Sequence, residues 1–290
     1  MFPDERGGSI RALVRRRDGA LDSFEADALV VEEPLEIRVR EGETAQPVRL
    51  LVTMRTPGHD EDLAAGILFS GGVIEAAGEL LDLARPSDPR IEPELARNVV
   101  IATIAVRPGG SRRAGWRSEP VTSACGVCGE TSIERVAELA SAARRRMAET
   151  AADEPVVSAG LLVALPDALR REQALFRSTG GLHAAGLFDA DGASVVVRED
   201  VGRHNATDKA IGSCLREKRP VPPILLVSGR LGFEIVQKAA IAGVRIVCSV
   251  SAPTSLAVEL AEETGLTIVG FLRGERFNVY SHPARVRGAG

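Results

Sequence analysis

Short apolar runs alternate with helical patterns in the C-terminal third of the chain, and this alternation restricts the fold more than any other feature. Runs typical of strands cover 224–227, 244–250 and 266–271, and helical patterns cover about 233–242 and 255–264. The connections are short enough for the three strands to pair in parallel through crossover helices. The sequence therefore predicts an α/β fold, and such sheets bind ligands beyond the carboxyl ends of their strands.

Further patterns extend this core towards the N-terminus. Apolar runs at 182–188 and 194–198 flank a turn at 189–192, which predicts a β-hairpin. The N-terminal part is predicted as α+β, with strands at 28–31, 35–39, 48–54 and 98–106 and a helix after the turn at 56–60. The glycine-rich, basic stretch 108–115 is typical of a loop. We place a domain boundary there, between an N-terminal domain, 1–115, and a C-terminal domain, 116–290.

Charge and hydropathy narrow the classes of partner. The chain has 290 residues and a formal net charge of -4, so it has no overall attraction to nucleic acid or to an anionic membrane. Any anionic ligand must be held by a local group of basic side chains. No apolar run approaches the roughly 18 residues that span a bilayer, and the start has no basic region followed by an apolar core, so we expect a cytoplasmic protein.

A single Cys-Gly-Val-Cys sequence, Cys125 to Cys128, lies in a run of small residues. Flanking glycines leave such thiols open to another protein's reactive sulfur, which favours sulfur chemistry. A helix is predicted from Thr131 to about Ala151, and its first amides would favour a thiolate, although Glu130 opposes this effect. Cys214 and Cys248 fall within apparently packed elements and are predicted to be buried free thiols.

A zinc site is the alternative for the cysteine pair. Structural zinc normally takes four ligands, and no second cysteine pair is present, so Cys125 and Cys128 would need one or two histidines. A thioredoxin-like redox role is disfavoured because the pair does not lie in a βαβ pattern. Zinc deaminases place a catalytic Glu two residues after a ligand His, whereas Ala185 stands two residues after His183. Deaminase activity is therefore not expected.

Two loops lie at the predicted carboxyl ends of parallel strands. Ser228, Gly229 and Arg230 follow the first strand, and the segment ending in Thr254 follows the second. Small polar residues and backbone amides at a helix start suit a phosphate, and Arg230 would add a charge-assisted contact. Plain helix capping is the alternative interpretation of both loops.

Two histidines lie in dense polar segments. His183 follows paired glycines in 179–186, and His204 follows Arg203 within 200–209. A functional role and a structural role stay open for both histidines. His59 and His282, in contrast, are predicted to be structural.

Six segments of the chain carry a family resemblance: Ala124–Gly129, Thr179–Ala185, Arg198–Asn205, Val227–Arg230, Ser251–Ser255 and Gly270–Asn278. Taken in order, they resemble the formate dehydrogenase accessory sulfurtransferase (FdhD) family. The resemblance covers nearly all of the chain, and small departures occur at Thr207 and Gly232, where Val and Ser are expected. It implies a cytidine-deaminase-like, three-layer C-terminal core with a mixed sheet, but without deaminase chemistry.

The resemblance also implies a sulfur relay. A cysteine desulfurase would pass sulfur to Cys125 as a persulfide, with Cys128 assisting its release. The acceptor would be the molybdenum cofactor in its bis(molybdopterin guanine dinucleotide) form, destined for formate dehydrogenase, and no permanently bound metal is expected. The implied cofactor site includes Phe271, Leu272, Arg273, Gly274, Glu275 and Arg276, together with Ser228, Gly229, Arg230, Thr254, His183, Arg203 and His204. A homodimer is expected from the resemblance alone, and a cofactor-binding chaperone with a structural zinc is the alternative function.

Overall fold

The computed structural model describes residues 2–3, 7–19, 21–87, 90–106, 141–142, 145, 148 and 155–288. The strands are β1 (Phe2–Pro3), β2 (Ser9–Asp18), β3 (Leu21–Val30), β4 (Glu33–Glu41), β5 (Val48–Arg55), β6 (Leu80–Ala84), β7 (Val99–Ile104), β8 (Val157–Ser158), β9 (His183–Phe188), β10 (Ser194–Asp200), β11 (Ile224–Val227), β12 (Ile246–Ser249), β13 (Thr267–Arg273), β14 (Arg276–Val279) and β15 (Val286–Arg287). The helices are α1 (Asp60–Ser70), α2 (Pro93–Ala96), α3 (Ala159–Glu172), α4 (Ala174–Thr179), α5 (Arg203–Arg216), α6 (Phe233–Ile241) and α7 (Ser255–Thr264).

A six-stranded mixed sheet of order β10-β9-β11-β12-β13-β14 forms the C-terminal part. Strands β11, β12 and β13 pair in parallel, which confirms the arrangement predicted from the three apolar runs. Strand β9 pairs antiparallel with both β10 and β11, and β14 pairs antiparallel with β13. The predicted hairpin is confirmed as β9–β10, with His183 opposite Asp200.

Helices cover both faces of this sheet, so the predicted three-layer core is confirmed. Leu225 and Val227 of β11 point to one face and pack in a cluster with apolar residues of α5, α6 and α7. Ile224 and Leu226 point to the other face and pack with Leu162, Leu165 and Leu169 of α3. Both faces of the strand are buried, which explains why its sequence is a continuous apolar run.

The N-terminal part confirms the predicted α+β character. Its four-stranded sheet has the order β5-β4-β7-β6, with β4 and β7 parallel, and a long hairpin, β2–β3, precedes it. Leu35, Ile37 and Val100 of this sheet pack against Leu63 and Ala64 of α1. One face of α1 is therefore buried against its own sheet.

The opposite face of α1 contacts α5 so closely that two glycines are required. A Cβ atom at Gly66 would lie 2.0 Å from the backbone oxygen of Asp208, and one at Gly212 would lie 1.8 Å from that of Asp62. Both distances are far shorter than any real carbon–oxygen contact, so no other residue fits without moving a helix. Residues from both sides of position 115 consequently share one apolar cluster, which includes Phe69 and Ile211.

The cysteine pair and the domain boundary fall outside the described ranges. Cys125, Cys128 and the stretch 108–115 all lie there, so the division at residue 115 stays a prediction. Within the helix predicted for 131–151, residues 141–142, 145 and 148 are helical. Across the described ranges, none of the helices has the length and apolar character that a membrane crossing requires.

The two remaining cysteines are buried free thiols, as predicted. Burial raises the pKa of Cys214 to about 11 and also raises the pKa of Cys248. Both thiols are therefore protonated at neutral pH, and a protonated thiol is a poor nucleophile.

Candidate functional site

Four chain segments meet at one edge of the six-stranded sheet. Strands β11 and β12 end there, and their carboxyl ends continue into Ser228 and Val250. Because β9 and β10 run antiparallel, the start of β9 at His183 lies beside the end of β10 at Asp200. The topology therefore brings together the polar segments that the sequence placed around His183 and His204.

His183, Ser228 and Arg203 converge around Gly229. The Ser228 hydroxyl accepts a hydrogen bond from the amide of Ala184 at 2.9 Å and lies 3.5 Å from Nδ1 of His183. A Cβ atom at Gly229 would lie 3.3 Å from the His183 ring and 3.4 Å from Cδ of Arg203. Glycine thus lets the imidazole and the arginine stem approach the loop backbone closely.

Arg203 carries an open hydrogen-bonding position. Its Nε atom is buried and has no hydrogen-bond partner among the described residues. Arg203 begins α5, whose N-cap is Gly202 and is therefore without a capping side chain. An anion bound here would meet both the guanidinium group and the positive end of the helix dipole.

Both histidines of this edge are neutral at pH 7. Burial, followed by the positive charges of Arg203 and Lys238 and the nearby His183, lowers the pKa of His204 to about 3. Burial and Arg203 also lower the pKa of His183, although Asp200 partly opposes them. Nε2 of His204 lies 3.2 Å from Oε2 of Glu234, an oxygen that has no hydrogen-bond partner within the described part of the chain. The positive charge of this edge therefore comes from arginine.

A buried ion pair lies directly behind Arg203. Nζ of Lys209 is 2.7 Å from Oδ2 of Asp200, and the two side chains are 1% and 0% exposed. Asp200 also accepts hydrogen bonds from the amides of Gly202 at 2.9 Å and Thr56 at 3.2 Å. Thr56 belongs to the segment between β5 and α1, so the N-terminal part contacts the edge directly.

The loops after β11 and β12 differ in what their predicted residues do. Arg230 is exposed and has no hydrogen-bond or ion-pair partner among the described residues. Thr254 caps α7, because its hydroxyl accepts the amide of Ala257 at 3.4 Å. The capping interpretation thus applies to Thr254. Ser228 does not cap α6, because that helix begins at Phe233, five residues further along the chain.

The turn between β13 and β14 is exposed and ordered by its backbone. Phe271 and Gly274 have φ angles of 54° and 53°, in the left-handed region that disfavours most side chains. The Leu272 side chain lies fully within the core, whereas Arg273, Gly274, Glu275 and Arg276 are exposed. Nε of Arg273 donates to the carbonyl of Val250 at 2.7 Å, which ties the turn to the end of β12.

A pocket of about 450 Å³ opens between this edge and helices α3 and α4. His183, Ser228 and Val250 line one side. Arg170 and Phe176 line the other, with the guanidinium carbon 6.0 Å from the ring centre. This helical wall was not predicted from the sequence. The sequence signal that could have predicted it is the spacing of Leu162, Leu165 and Leu169 by three and four residues. This spacing indicates a helix with one buried face and places Arg170 beside that face.

No group of three metal-ligating side chains occurs within the described ranges. His59 is mostly exposed and lies 3.5 Å from Asp62, and Nε2 of His282 lies 3.1 Å from the carbonyl of Glu262. Neither histidine faces the pocket described above. The contacts of both agree with the structural roles predicted for them.

A six-stranded mixed sheet that is covered by helices on both faces, with arginines, neutral histidines and a pocket at its carboxyl edge, defines a three-layer α/β protein. The chain belongs to the FdhD/NarQ family, whose model matches residues 30–287. It is 45% identical to "Sulfur carrier protein FdhD" of Anaeromyxobacter dehalogenans (strain 2CP-C), covering 97% of this chain and 94% of the relative. It is 46% identical to the protein of that name in Streptomyces coelicolor, covering 95% and 94%.

A solved structure shares the fold. It is described as a putative formate dehydrogenase accessory protein from Desulfotalea psychrophila and superposes with a TM-score of 0.70 at 23% identity, covering 97% of this chain and 100% of that one. The similarity extends across the whole chain, so the N-terminal sheet and the three-layer core belong to one shared architecture.

Proposed function

We propose that this protein carries sulfur from a cysteine desulfurase to the molybdenum cofactor, bis(molybdopterin guanine dinucleotide), and thereby supports formate dehydrogenase activity. The observation that carries the proposal is the combination of 45% identity to proteins named sulfur carriers with the Cys-Gly-Val-Cys sequence of this chain. The cysteines at 214 and 248 do not compete for this role, because both are buried with raised pKa values.

The first step is an exchange at sulfur. The Cys125 thiolate attacks the terminal sulfur of the donor's persulfide, the donor's S–S bond breaks, and the donor leaves as a thiolate while Cys125 becomes a persulfide. No net oxidation occurs, because one persulfide replaces another. In this hypothesis Cys128 then attacks the inner sulfur of Cys125, which forms a disulfide and releases hydrosulfide to the acceptor. A thiol reductant restores the pair.

The acceptor is proposed to bind at the edge of the six-stranded sheet. Its phosphates are anionic, and the edge presents Arg203, Arg230, Arg273 and Arg276 against an overall charge of -4. Neutral His183 and His204, with the backbone of Ser228 and Gly229, supply hydrogen bonds without further charge. The turn residues Phe271, Leu272, Gly274 and Glu275, together with Thr254, complete the proposed site. Its guanine nucleotide part makes GDP a suitable probe.

The remaining assignments follow from the same role. The proposed partners are a cysteine desulfurase as donor and formate dehydrogenase as the final recipient. We further propose that the protein is a cytoplasmic homodimer, which size-exclusion chromatography with light scattering would test.

Intact-protein mass spectrometry after incubation with a cysteine desulfurase and cysteine tests the sulfur carrier role. We expect a gain of one sulfur atom that a reductant removes and that Cys125→Ala abolishes. Cys214→Ala is the matched control and should load like the unaltered protein, because its thiol is buried. No gain in any form, together with one zinc per chain that is lost in Cys125→Ala, would instead establish the cofactor-binding chaperone.

A further inference from the structure

We infer that Asp200 is a positioning residue for the proposed cofactor edge, holding the first turn of α5 in place from behind while touching no ligand itself. This inference rests on the proposed function, because the ligand whose binding it controls is the nucleotide part of the proposed acceptor. It assigns a role to the contact between the Thr56 segment and the C-terminal core.

The Asp200 carboxylate is fully engaged by donors from both parts of the chain. Oδ1 accepts from the amide of Gly202 at 2.9 Å and from Nδ2 of Asn205 at 3.2 Å. Oδ2 accepts from the amide of Thr56 at 3.2 Å and lies 2.7 Å from Nζ of Lys209. Two of these donors flank Arg203 and His204, so the carboxylate fixes the backbone that carries both side chains.

The partners of Asp200 are themselves held across the interface. Nζ of Lys209 donates to the carbonyl of Thr56 at 2.8 Å, and the Thr56 hydroxyl accepts the amide of Val201 at 3.2 Å. Nδ2 of Asn205 also donates to the carbonyl of Met54 at 2.7 Å. The turn that precedes α5 is therefore joined to strand β5 through Met54 and to the segment after that strand through Thr56.

Geometry on the side of Gly229 explains why a movement of this turn would disturb the proposed cofactor edge. The Arg203 stem packs on Gly229, where a Cβ atom would already crowd both it and His183. Nε of Arg203 is buried without a hydrogen-bond partner among the described residues, whereas the side chain as a whole is partly exposed. The guanidinium group is therefore held by packing, and a ligand that meets it meets a fixed geometry. Hydrogen bonds to an anion weaken steeply when the donor is misaligned, so a small rotation of this turn would reduce affinity.

The test compares GDP affinity, measured by isothermal titration calorimetry at pH 7, in the full chain and its variants. Asp200→Asn alone leaves Lys209 buried and unpaired, so the double variant Asp200→Asn/Lys209→Met is used to keep the fold. We expect it to bind GDP about tenfold more weakly, as the loss of one charge-assisted contact would do. Thr56→Val, which removes only the acceptor for Val201, should weaken GDP binding in the same direction and by less.

Asp62→Asn is the matched control. Asp62 is also a buried carboxylate between α1 and α5, but it pairs with Arg198 and Arg216, and Arg216 lies at the other end of α5 from Arg203. We expect GDP affinity to be unchanged in this variant at a temperature where it is folded. A purely structural role for Asp200 would make both variants lose affinity equally, and that result would overturn the inference.

A second readout is independent of the nucleotide. The charge of Asp200 raises the pKa of His183 against the effects of burial and Arg203, so an NMR titration of the double variant should show a lower His183 pKa than the unaltered protein. Unchanged GDP affinity in the double variant, with or without a change in the His183 titration, would overturn the inference and leave the proposed function standing. An unaltered protein that binds no GDP would overturn the proposed cofactor edge, and this inference with it.

Discussion

The two sides of the proposed cofactor site are held in opposite ways. The Asp200–Arg203 turn is fixed by buried side chains, with an ion pair whose members are 0% and 1% exposed. The Phe271–Arg276 turn is largely exposed and is shaped by two residues with positive φ and by one hydrogen bond from Arg273 to Val250. One side is pre-organised by packing from behind, and the other by local backbone conformation.

This contrast indicates a division of tasks. A site that must recognise a defined group needs donors held in one geometry, which the buried turn supplies. A site that must also release a large cargo needs a part that ligand and partner can reach from solvent. Substitutions in the buried turn should therefore lower the free energy of unfolding. Substitutions in the exposed turn should change ligand binding with little change in the free energy of unfolding.

The largest stability effect is expected for Asp200→Asn. The substitution leaves Lys209 charged, buried and unpaired, which costs about 3–5 kcal/mol in comparable buried pairs. Urea unfolding at pH 7 measures the free energy of unfolding. Adding Lys209→Met should recover much of the loss. A loss below about 1 kcal/mol for the single variant would remove the proposed difference between the two turns.

The second effect is a dependence of the free energy of unfolding on pH. It arises at Asp62, where α1 contacts α5. Hydrogen bonds from His59, Arg216 and Arg198 outweigh burial and lower the pKa of Asp62 to about 2. Because the folded-state pKa lies below the unfolded one, this contribution is complete above about pH 4 and is lost as the pH falls towards 2. It amounts to roughly 2 kcal/mol.

Urea unfolding between pH 7 and pH 2.5 measures this dependence. In Asp62→Asn the stability should fall less over the acidic range than in the unaltered protein. Equal slopes in the two proteins would show that Asp62 does not titrate differently on folding.

A smaller effect is expected in the exposed turn for Gly274→Ala. No atom lies within 4 Å of the added Cβ, so the cost is the left-handed backbone alone, about 1 kcal/mol. Gly78→Ala is the matched control, since it too has open space around the added Cβ but a φ outside the left-handed region. Thermal unfolding of both variants should show a lower midpoint only for Gly274→Ala.

The smallest stability effect is expected for Arg273→Ala. The arginine is exposed and its hydrogen bond to Val250 contributes about 1 kcal/mol or less. GDP affinity, in contrast, should fall about tenfold if the guanidinium group meets a phosphate. Calorimetric titration beside a urea curve separates the two quantities, and unchanged affinity would move the nucleotide site away from this turn.

The sequence predicted the C-terminal fold well because each signal was local. The run 224–227 is apolar at every position, as a strand buried on both faces must be, and the turn at 189–192 lies within its own hairpin. Gly66 and Gly212 carried no readable signal, since their need for glycine arises only where α1 meets α5.

The candidate site was predictable only in part, because the roles of its residues depend on contacts between distant parts of the chain. The polar density of 200–209 pointed to Arg203 and His204, but it did not distinguish Arg203, which is proposed to meet the ligand, from Asp200 and Lys209 behind it. Their roles depend on Thr56, which is 144 positions from Asp200. The turn at 271–276 mixed exposed residues with Leu272, whose burial follows from strand alternation.

The contact between the Thr56 segment and Asp200 also affects how the chain folds during its synthesis. It joins residues 144 positions apart, so the first helix leaves the ribosome long before α5 is made. Closing so long a loop is entropically costly and slows folding in proteins dominated by such contacts. Until α5 has been made, the face of α1 that carries Gly66 has no helix to pack against. The proposed cofactor edge is not assembled either. A chain interrupted before α5 therefore lacks the proposed cofactor edge, and the synthesis of α5 sets the earliest moment at which this edge can form.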